Sequence, residues 1–228
     1  MFPKVDDVNA CTRMAQTLMI AGYSTVGLTI PTGLLPERVK SIRQTFQDQG
    51  IATALRIDLG SSSRTELLRS LRRFRNAYDV VGVKCVNARV ATVASRDRRV
   101  DIVFFDPVMH NVRFTHSLAR LLHGALEVNL MISLLALTDT GILFRLRRAI
   151  AVAQEHNVKV VLSSGARDAE MVRAPRQLSA IASTLGLSET ASVAGVSSVP
   201  LFIITENVKK RKPEYVEEGV KIIVSSRR

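Results

Sequence analysis

Val158-Lys-Val-Val-Leu-Ser-Ser-Gly-Ala-Arg167 is the stretch of this chain that says most about its fold. Its apolar residues form a short run that ends at Ser163, Ser164 and Gly165, which is typical of a buried strand stopped by a tight turn. A serine or the following Asp168 could cap the helix expected after such a turn. Taken alone, the turn is therefore compatible with an ordinary strand-to-helix connection.

Three arginines, Arg167, Arg173 and Arg176, follow this turn where the next helix is expected to begin. Small residues leave backbone N–H groups accessible, and together with guanidinium groups they form a place that can receive phosphate. That phosphate could belong to a small substrate or to a nucleic acid, and the rest of the sequence distinguishes the two.

Similar apolar runs alternate with helix-like segments along most of the chain. The predicted strands span residues 23–30, 51–57, 79–84, 101–105, 125–130 and 158–162. The predicted helices between them span residues 36–49, 65–75, 88–95, 115–122 and 141–156. A further strand over residues 2–5, with its helix over residues 8–21, brings the total to about seven βα units with short connections. This pattern predicts an α/β, TIM-barrel-like parallel barrel.

A doubly wound sheet is the main alternative, because a sequence does not show whether the strands close into a barrel. No Gly-rich dinucleotide fingerprint follows any predicted strand, which weakens the nucleotide-binding version of that fold.

The C-terminal part of the chain has a different pattern. After residue 165 the strands are expected to stop, and three extra helices are predicted over residues 175–186, 188–196 and 200–210. We expect one barrel domain over residues 1–228, in which residues 209–228 form a basic, partly flexible tail.

Charge is the strongest clue in the composition. The formal net charge is +12, the sequence pI is about 10.5, and 24 of the 32 basic residues are Arg. Residues 61–120 contain 12 basic and 5 acidic residues. Guanidinium groups bind phosphate bidentately, so a nucleic acid or another polyanion is favoured over a generally basic surface. With no Trp and only 3 Tyr, RNA binding would rely on backbone and shape rather than on stacked bases.

Other sequence features indicate the compartment. No apolar run is long enough to cross a bilayer, and residues 1–7 lack the pattern of a signal peptide. Cys11 and Cys85 are too few for a disulfide framework or a zinc cluster. We therefore expect a reduced, cytoplasmic protein that does not contact a membrane.

The ends of the predicted strands carry the polar residues on which catalysis could depend. They are Arg56, Asp58, Lys84, Asp106, Glu127, Asn129, Ser163 and Ser164. The four histidines lie in predicted helices or loops instead, which argues against a metal-dependent hydrolase. We expect Asp58, Asp106 and Glu127 to pair with Arg56 or Lys84 in internal polar networks. The alternative is a barrel phosphoesterase that uses these three carboxylates with a metal and acts without RNA.

Arginines near the strand ends form the better constellation, because several lie in loops and helix starts that one barrel face would share. The predicted RNA-contacting residues are Arg89, Arg96, Arg113, Arg167, Arg173 and Arg176, with Lys84 and Lys159 as weaker candidates. No catalytic residue and no metal ligand is predicted. A scaffold that binds only proteins remains a further alternative, and it predicts no RNA affinity at physiological salt.

Short motifs give the sequence a family likeness. The C-terminal ones are Leu162-Ser-Ser-Gly-Ala166, Val172-Arg-Ala-Pro-Arg-Gln-Leu178, Leu185-Gly-Leu187 and Val196-Ser-Ser198. The earlier ones are Tyr78-Asp-Val-Val81, Asp101-Ile-Val-Phe-Phe-Asp106 and Leu126-Glu-Val128. In this order, over roughly residues 10–210, they resemble the archaeal ribonuclease P protein component 3 family, to which the eukaryotic thirty-kilodalton ribonuclease P subunit also belongs.

The resemblance implies a barrel related to the polymerase-and-histidinol-phosphatase metal hydrolases, with their metal site lost. It implies a noncatalytic subunit that braces ribonuclease P RNA, which removes the 5′ leader of precursor tRNA with bound Mg²⁺. The chain itself would bind no cofactor. Its implied partners are that RNA, protein component 2, in a pair that dimerises into a heterotetramer, and the other protein subunits. The residues that the resemblance carries over are Ser163, Ser164, Gly165, Arg173 and Arg176.

Overall fold

The fold is built on an open sheet of six parallel strands, each paired with the next along the chain. The computed structural model describes residues 7–106, 108, 111–130, 140–211, 215–217 and 220–221. The strands are β1 (Thr25–Thr29), β2 (Ala52–Gly60), β3 (Val80–Lys84), β4 (Ile102–Phe104), β5 (Ala125–Asn129) and β6 (Val160–Ser163). The sheet has the curvature and connections of half a barrel, with a helix after each strand.

Nine α-helices lie within the described residues. They are α1 (Val8–Ile20), α2 (Pro36–Gln47), α3 (Arg64–Phe74), α4 (Ala88–Arg96), α5 (His116–Leu121), α6 (Thr140–Glu155), α7 (Pro175–Thr184), α8 (Glu189–Val196) and α9 (Ser198–Lys210). A 3-10 turn, Ala169–Met171, precedes α7. Two short antiparallel strands, β7 (Tyr215–Glu217) and β8 (Val220–Lys221), follow α9.

Local sequence explains where several helices begin. The side chain of Ser63 accepts a hydrogen bond from the N–H of Glu66 at 3.2 Å, and Asn87 accepts one from Val90 at 2.9 Å. These caps satisfy backbone donors that the first turn of a helix leaves unpaired. Pro175 stands in the first turn of α7, where the missing N–H of proline is not needed. The strand-to-helix loops can therefore stay short.

Strand register divides the side chains between two faces of the sheet. Arg56 on β2 is in register with Val80 on β3, and Glu127 on β5 is in register with Val161 on β6. Residues one position away, such as Val81, point to the opposite, convex face because side chains alternate along a strand. The convex face and helices α3–α7 bury the largest apolar cluster, which includes Leu71.

The concave face is apolar near the strand starts and polar near their ends. Val80, Ile102, Ala125 and Val161 form a small buried cluster, and it is covered by apolar side chains of α9. The covering residues are Val199, Ile203 and Ile204. Helix α9 therefore covers the half of the concave face at the strand starts, and the polar residues occupy the half at the strand ends.

The end of α9 is fastened to the start of β3. Asn207 is buried, and its side-chain Nδ2 donates a 2.9 Å hydrogen bond to the backbone oxygen of Asp79. Arg211, just beyond the helix, pairs with the carboxylate of the same Asp79. The Asp79 carboxylate also accepts a hydrogen bond from the N–H of Leu55 at 2.6 Å. Asp79 thus joins α9 to two strands of the sheet.

Most of the fold expected from the sequence is confirmed. All six strands from β1 to β6 and the three C-terminal helices lie where the apolar patterns predict them. The predicted strand over residues 2–5, which would make the seventh βα unit, lies outside the described residues. The expectation that strands stop after residue 165 is wrong, because β7 pairs with β8 within the predicted tail. Lys209 and Lys210, at the start of that tail, belong to the last turn of α9.

Membrane spans were expected to be absent. In the described ranges, no single helix has both the length and the hydropathy to cross a bilayer. Among the helices that the structure describes, only α8 and α9 taken together have the required length and composition, and this pair is bent by 43°. Gly195 of α8 packs so closely on β6 that an added Cβ would lie 3.0 Å from Val160 O, so this helix rests on the protein's own sheet.

Replacing Asn207 with Ala should weaken the attachment of α9. The substitution leaves the partly buried backbone oxygen of Asp79 without this donor, so we expect the free energy of unfolding to fall by about 1–3 kcal/mol. Chemical denaturation followed by far-UV circular dichroism measures it. Thr205→Ala is the matched control, since Thr205 is an exposed residue of the same helix and its loss should change little. Equal stability of the two variants would contradict the role of Asn207.

Candidate nucleic-acid interface at the carboxyl end of the sheet

A buried ion network occupies the polar half of the concave face. The guanidinium of Arg56 donates from Nε to Asp58 Oδ1 at 2.7 Å and from Nη2 to Glu127 Oε2 at 2.5 Å. Arg56 and Glu127 are each only 8% exposed. Arginine is suited to such a place because its planar group can satisfy two carboxylates at once.

The Arg56 side chain passes over two strands to reach its second partner. Neighbouring strands lie about 4.8 Å apart, so β2 and β5 would be about 14 Å apart in a flat sheet. Curvature shortens that path, and Gly82 of β3 leaves room for the side chain. A Cβ at Gly82 would collide with Asp58 Oδ1 and lie 3.1 Å from Nη2 of Arg56. The guanidinium also lies 5.6 Å from the ring centre of Phe104 on β4.

Burial and ion pairing shift the pKa values of Arg56, Glu127 and Asp58 in different directions. Burial disfavours the charged guanidinium, but attraction to Glu127 and Asp58 outweighs it and raises the pKa of Arg56. Burial also works against the charge of Glu127, yet attraction to Arg56 and the hydrogen bond that Arg56 donates bring the pKa of Glu127 below its ordinary value. For Asp58 burial prevails over Arg56, and the pKa of Asp58 is raised.

A second ion pair lies at the rim of the same face. Lys84 Nζ, at the end of β3, is 3.1 Å from Asp106 Oδ2, just beyond β4. The expectation that Asp58, Asp106 and Glu127 pair with Arg56 or Lys84 is therefore confirmed. Protein cations already hold all three carboxylates that a phosphoesterase would use. In the described part of the chain no histidine joins them.

Cysteine chemistry finds no support in this region either. Cys85 follows β3 and is fully buried, and burial raises the pKa of its thiol to about 12. A nucleophilic cysteine needs its thiolate near neutral pH, so Cys85 is a packing residue.

The Ser163–Gly165 turn is packed into the fold. Gly165 has a φ of 59°, in the left-handed region, and a Cβ there would collide with the Asn129 side chain of β5. Ser163 Oγ is buried without a hydrogen-bond partner in the described part of the chain, and Ser164 Oγ accepts a hydrogen bond from the N–H of Ala166 at 3.4 Å. These contacts give the turn a structural role.

The capping expected of Asp168 is also present. Its Oδ1 accepts a hydrogen bond from the N–H of Met171 at 3.1 Å, at the start of the 3-10 turn. The segment after β6 is therefore an ordinary capped connection, as one of the two interpretations of the sequence had it.

Four of the predicted RNA-contacting residues share the carboxyl end of the sheet. Arg89 is exposed in the first turn of α4, Arg113 is exposed before α5, and Arg167 is exposed after β6. Lys84 stands at the end of β3 and is half-buried by its pair with Asp106. In the described ranges no hydrogen bond or ion pair engages the guanidinium groups of the three arginines.

Arg173 and Arg176 lie further along, near the start of β1. Nη1 of Arg173 donates to the backbone oxygens of Glu170 and Val172 at 2.8 and 2.9 Å, so its guanidinium is partly engaged. The Tyr23 hydroxyl donates to the Arg173 backbone oxygen at 2.8 Å, and burial raises the pKa of Tyr23 to about 12. Arg176 is exposed and lines an open groove of about 980 Å³ between β1 and helices α7–α9.

The two other candidates lie at the opposite end of the sheet. Arg96 is the last residue of α4, and Lys159 directly precedes β6. Lys159 Nζ stands 4.0 Å from the ring centre of the exposed Phe202 of α9, a surface cation–π contact. Contact of these two residues with RNA stays a prediction, as it does for the other six.

One exposed arginine was not among the sequence candidates although its position qualifies. Arg64 is the first residue of α3, directly after the loop that follows β2. It therefore belongs to the same carboxyl end as Arg89. The cap at Ser63 was a signal that could have identified this helix start, and with it the position of Arg64. We call Arg64, Arg89, Arg113 and Arg167 the arginine rim.

A small cavity beneath the polar network holds no room for a nucleotide. Its volume is about 140 Å³, and it lies between α9 and the residues Arg56, Ser163 and Ser164. Small-molecule sites usually have about 300–1,000 Å³. The concave face is therefore better described as an internal polar core than as a substrate pocket.

Known proteins match this chain over nearly its whole length. The family model described as RNase P subunit p30 matches residues 3–212. Ribonuclease P protein component 3 of Methanosarcina barkeri is 26% identical, over 96% of this chain and 91% of its own length. The Methanothermobacter thermautotrophicus protein of that name is 21% identical, over 90% and 86%.

A similar fold is found in a cryo-EM structure of archaeal ribonuclease P with mature tRNA. One of its chains matches with a TM-score of 0.83 and 17% identity, over 100% of this chain and 99% of that one. This likeness concerns the fold, and it agrees with the barrel-like sheet described above.

The two buried carboxylates should contribute to acid stability in opposite directions. Glu127 has its folded pKa below the ordinary 4.5, so it stabilises the fold above that pH and loses this contribution as the pH falls through the folded pKa. Asp58 has its folded pKa above 3.8, so the folded state binds more protons there and gains stability as the pH falls. The free energy of unfolding should therefore fall less steeply with decreasing pH in the Glu127→Gln variant than in the unmodified protein. In the Asp58→Asn variant it should fall more steeply.

Urea denaturation at a series of pH values between about 3 and 5 measures these slopes. Replacement of the exposed Glu189 by Gln is the control, and its slope should follow the unmodified protein. Three parallel curves for the unmodified protein and the two network variants would contradict the opposite shifts.

Proposed function

Since the chain belongs to the family of ribonuclease P subunit p30, we propose that it is the protein subunit that binds and braces ribonuclease P RNA. In that complex the RNA removes the 5′ leader of precursor tRNA, using Mg²⁺ that the RNA holds. The protein contributes positive charge in a fixed arrangement and no reacting group.

The arginine rim is the single observation that carries the RNA-binding part of this proposal. Its four arginines are exposed at one end of the sheet, on loops and helix starts that a buried core holds in place. A phosphate backbone needs separated, accessible cations along a surface, and guanidinium groups bind phosphate in bidentate fashion. Packed elements hold the backbone at these positions, so the places from which the four side chains extend are fixed.

The interior of the concave face supports a noncatalytic role for this chain. A phosphoesterase would need free carboxylates for a metal, and here Arg56 and Lys84 neutralise them. The carboxyl end of a parallel barrel is where such chemistry normally takes place. Catalysis by the RNA is therefore favoured over catalysis by this chain.

The assembly that we propose includes ribonuclease P protein component 2 as the direct protein partner. Two such pairs would form a heterotetramer, and the remaining protein subunits would join through the RNA or through protein contacts. Membership of a ribonuclease P family supports a cytoplasmic location. Native mass spectrometry of the two co-expressed proteins measures this stoichiometry.

Removing charge from the rim should weaken RNA binding and reduce its salt dependence. We expect the triple variant Arg89→Gln, Arg113→Gln, Arg167→Gln to lose affinity for ribonuclease P RNA. The slope of log K against log salt concentration should fall by about one unit for each lost phosphate contact. Fluorescence titrations at several salt concentrations measure both quantities.

A charge-matched control separates the rim from the overall charge of the protein. Arg13, Arg69 and Arg72 are exposed on α1 and α3, and the corresponding triple Gln variant removes the same three charges. It should keep most of the salt slope. A slope that is unchanged in the rim variant, or equally reduced in the control, would overturn the assignment of the rim.

Reconstitution tests the role of the whole chain. Precursor-tRNA cleavage by the cognate RNA and the other subunits should slow when this chain is omitted, most strongly at low Mg²⁺, because the RNA then lacks neutralising charge. The isolated chain with Mn²⁺ or Zn²⁺ should not hydrolyse a phosphoester. Undiminished cleavage without the chain would exclude the bracing role, and hydrolysis by the chain alone would favour the phosphoesterase.

A further inference from the structure

Two histidines and a glutamate from different parts of the chain converge at one corner of the fold. His116 is the first residue of α5, Glu155 is the last residue of α6, and His156 follows it directly. The two histidines are 40 residues apart in sequence, and packing of α5 against α6 brings them together. Their imidazole rings meet edge to face, with ring centres 5.3 Å apart.

One possible ligand atom from each side chain lies close to the other two. His116 Nδ1 lies 3.1 Å from His156 Nε2 and 3.5 Å from Glu155 Oε1, and His156 Nε2 lies 3.9 Å from the same oxygen. Metal–ligand distances of 2.0–2.2 Å in a tetrahedral site separate neighbouring ligand atoms by about 3.3–3.6 Å. The three observed distances bracket this range, so small side-chain rotations would complete the site.

The surroundings also favour a cation here. The carboxylate of Glu155 lies at the C-terminal end of α6, where the helix dipole is negative. Backbone hydrogen bonds fix the position of His156: its N–H donates to Val152 O at 3.3 Å, and Val158 N–H donates to Ala153 O at 2.8 Å. His156 is mostly buried, with 18% of its side chain exposed, whereas His116 and Glu155 reach solvent.

We propose that His116, Glu155 and His156 form a binding site for a divalent transition-metal ion, with Zn²⁺ as the preferred ion. Two imidazole nitrogens and one carboxylate oxygen are typical of zinc and its neighbours, whereas Mg²⁺ and Ca²⁺ prefer oxygen ligands alone. Water takes the fourth position, which faces solvent. The ion joins the start of α5 to the end of α6, and the site is separate from the carboxylates on the concave face.

The test uses the full-length chain without a histidine tag and without RNA, so its outcome does not depend on the proposed RNA role. Chelator-treated protein is titrated with ZnSO₄ by calorimetry and with CoCl₂ by visible absorption, which reports nitrogen ligation and low coordination number. We expect one ion per chain and a rise in melting temperature with Zn²⁺ but not with Mg²⁺. His116→Asn and His156→Asn should each lower Zn²⁺ affinity by about 100-fold or more, since even loss of an outer partner costs 10–100-fold.

His123→Asn is the matched control, because His123 is an exposed histidine in the loop before β5 and should leave the affinity unchanged. His116 and Glu155 are exposed, so His116→Asn and Glu155→Gln should fold normally by circular dichroism even if His156→Asn does not. Zn²⁺ affinity that His116→Asn leaves intact, or that His123→Asn lowers as much, would overturn the site. Failure of the unmodified protein to bind Zn²⁺ more tightly than the His116→Asn variant would do the same.

Discussion

The buried guanidinium of Arg56 imposes conditions that much of the sheet must meet. A charge in this position needs both Asp58 and Glu127, because removing one partner of a buried ion pair typically costs about 3–5 kcal/mol. Since those partners stand on β2 and β5, the sheet between them has to curve, and β3 has to carry a residue without a side chain at Gly82. One interaction therefore ties the curvature of the half-barrel to the identity of residues on three strands.

The same interaction separates the paired charges of the interior from the exposed charges of the surface. Towards the strand starts, α9 covers the concave face with apolar side chains, and at the carboxyl ends of the strands Lys84 pairs with Asp106. The position that would serve as a substrate site in a barrel enzyme is thus filled by the protein's own charges. Positive charge that remains available lies outside, on the arginine rim, where it can meet a polyanion too large to enter any cavity.

Sequence reasoning succeeded where a local pattern decides the outcome. Apolar runs located six strands. The position of Asp58 and Glu127 at strand ends was enough to expect an ion pair with Arg56 or Lys84. It could not show that Arg56 would cross β3 and β4 to reach Glu127, because that depends on sheet curvature. His116 meets His156 only because two helices pack together, and no local sequence pattern predicts that contact. The pairing of β7 with β8 involves few residues, and their sequence shows only a weak strand pattern.

The turn at Ser163–Gly165 shows why a family motif and a binding site need not coincide. Gly165 is required by its left-handed backbone and by the Asn129 side chain against it, while Ser163 is buried at the end of β6. These requirements come from packing inside the fold. A residue that contacts RNA meets no such demand, because an exposed guanidinium can approach a phosphate from several neighbouring positions. The motif therefore identifies residues that the packed interior requires. The arginine rim has to be located from the positions of the loops and helix starts in the structure.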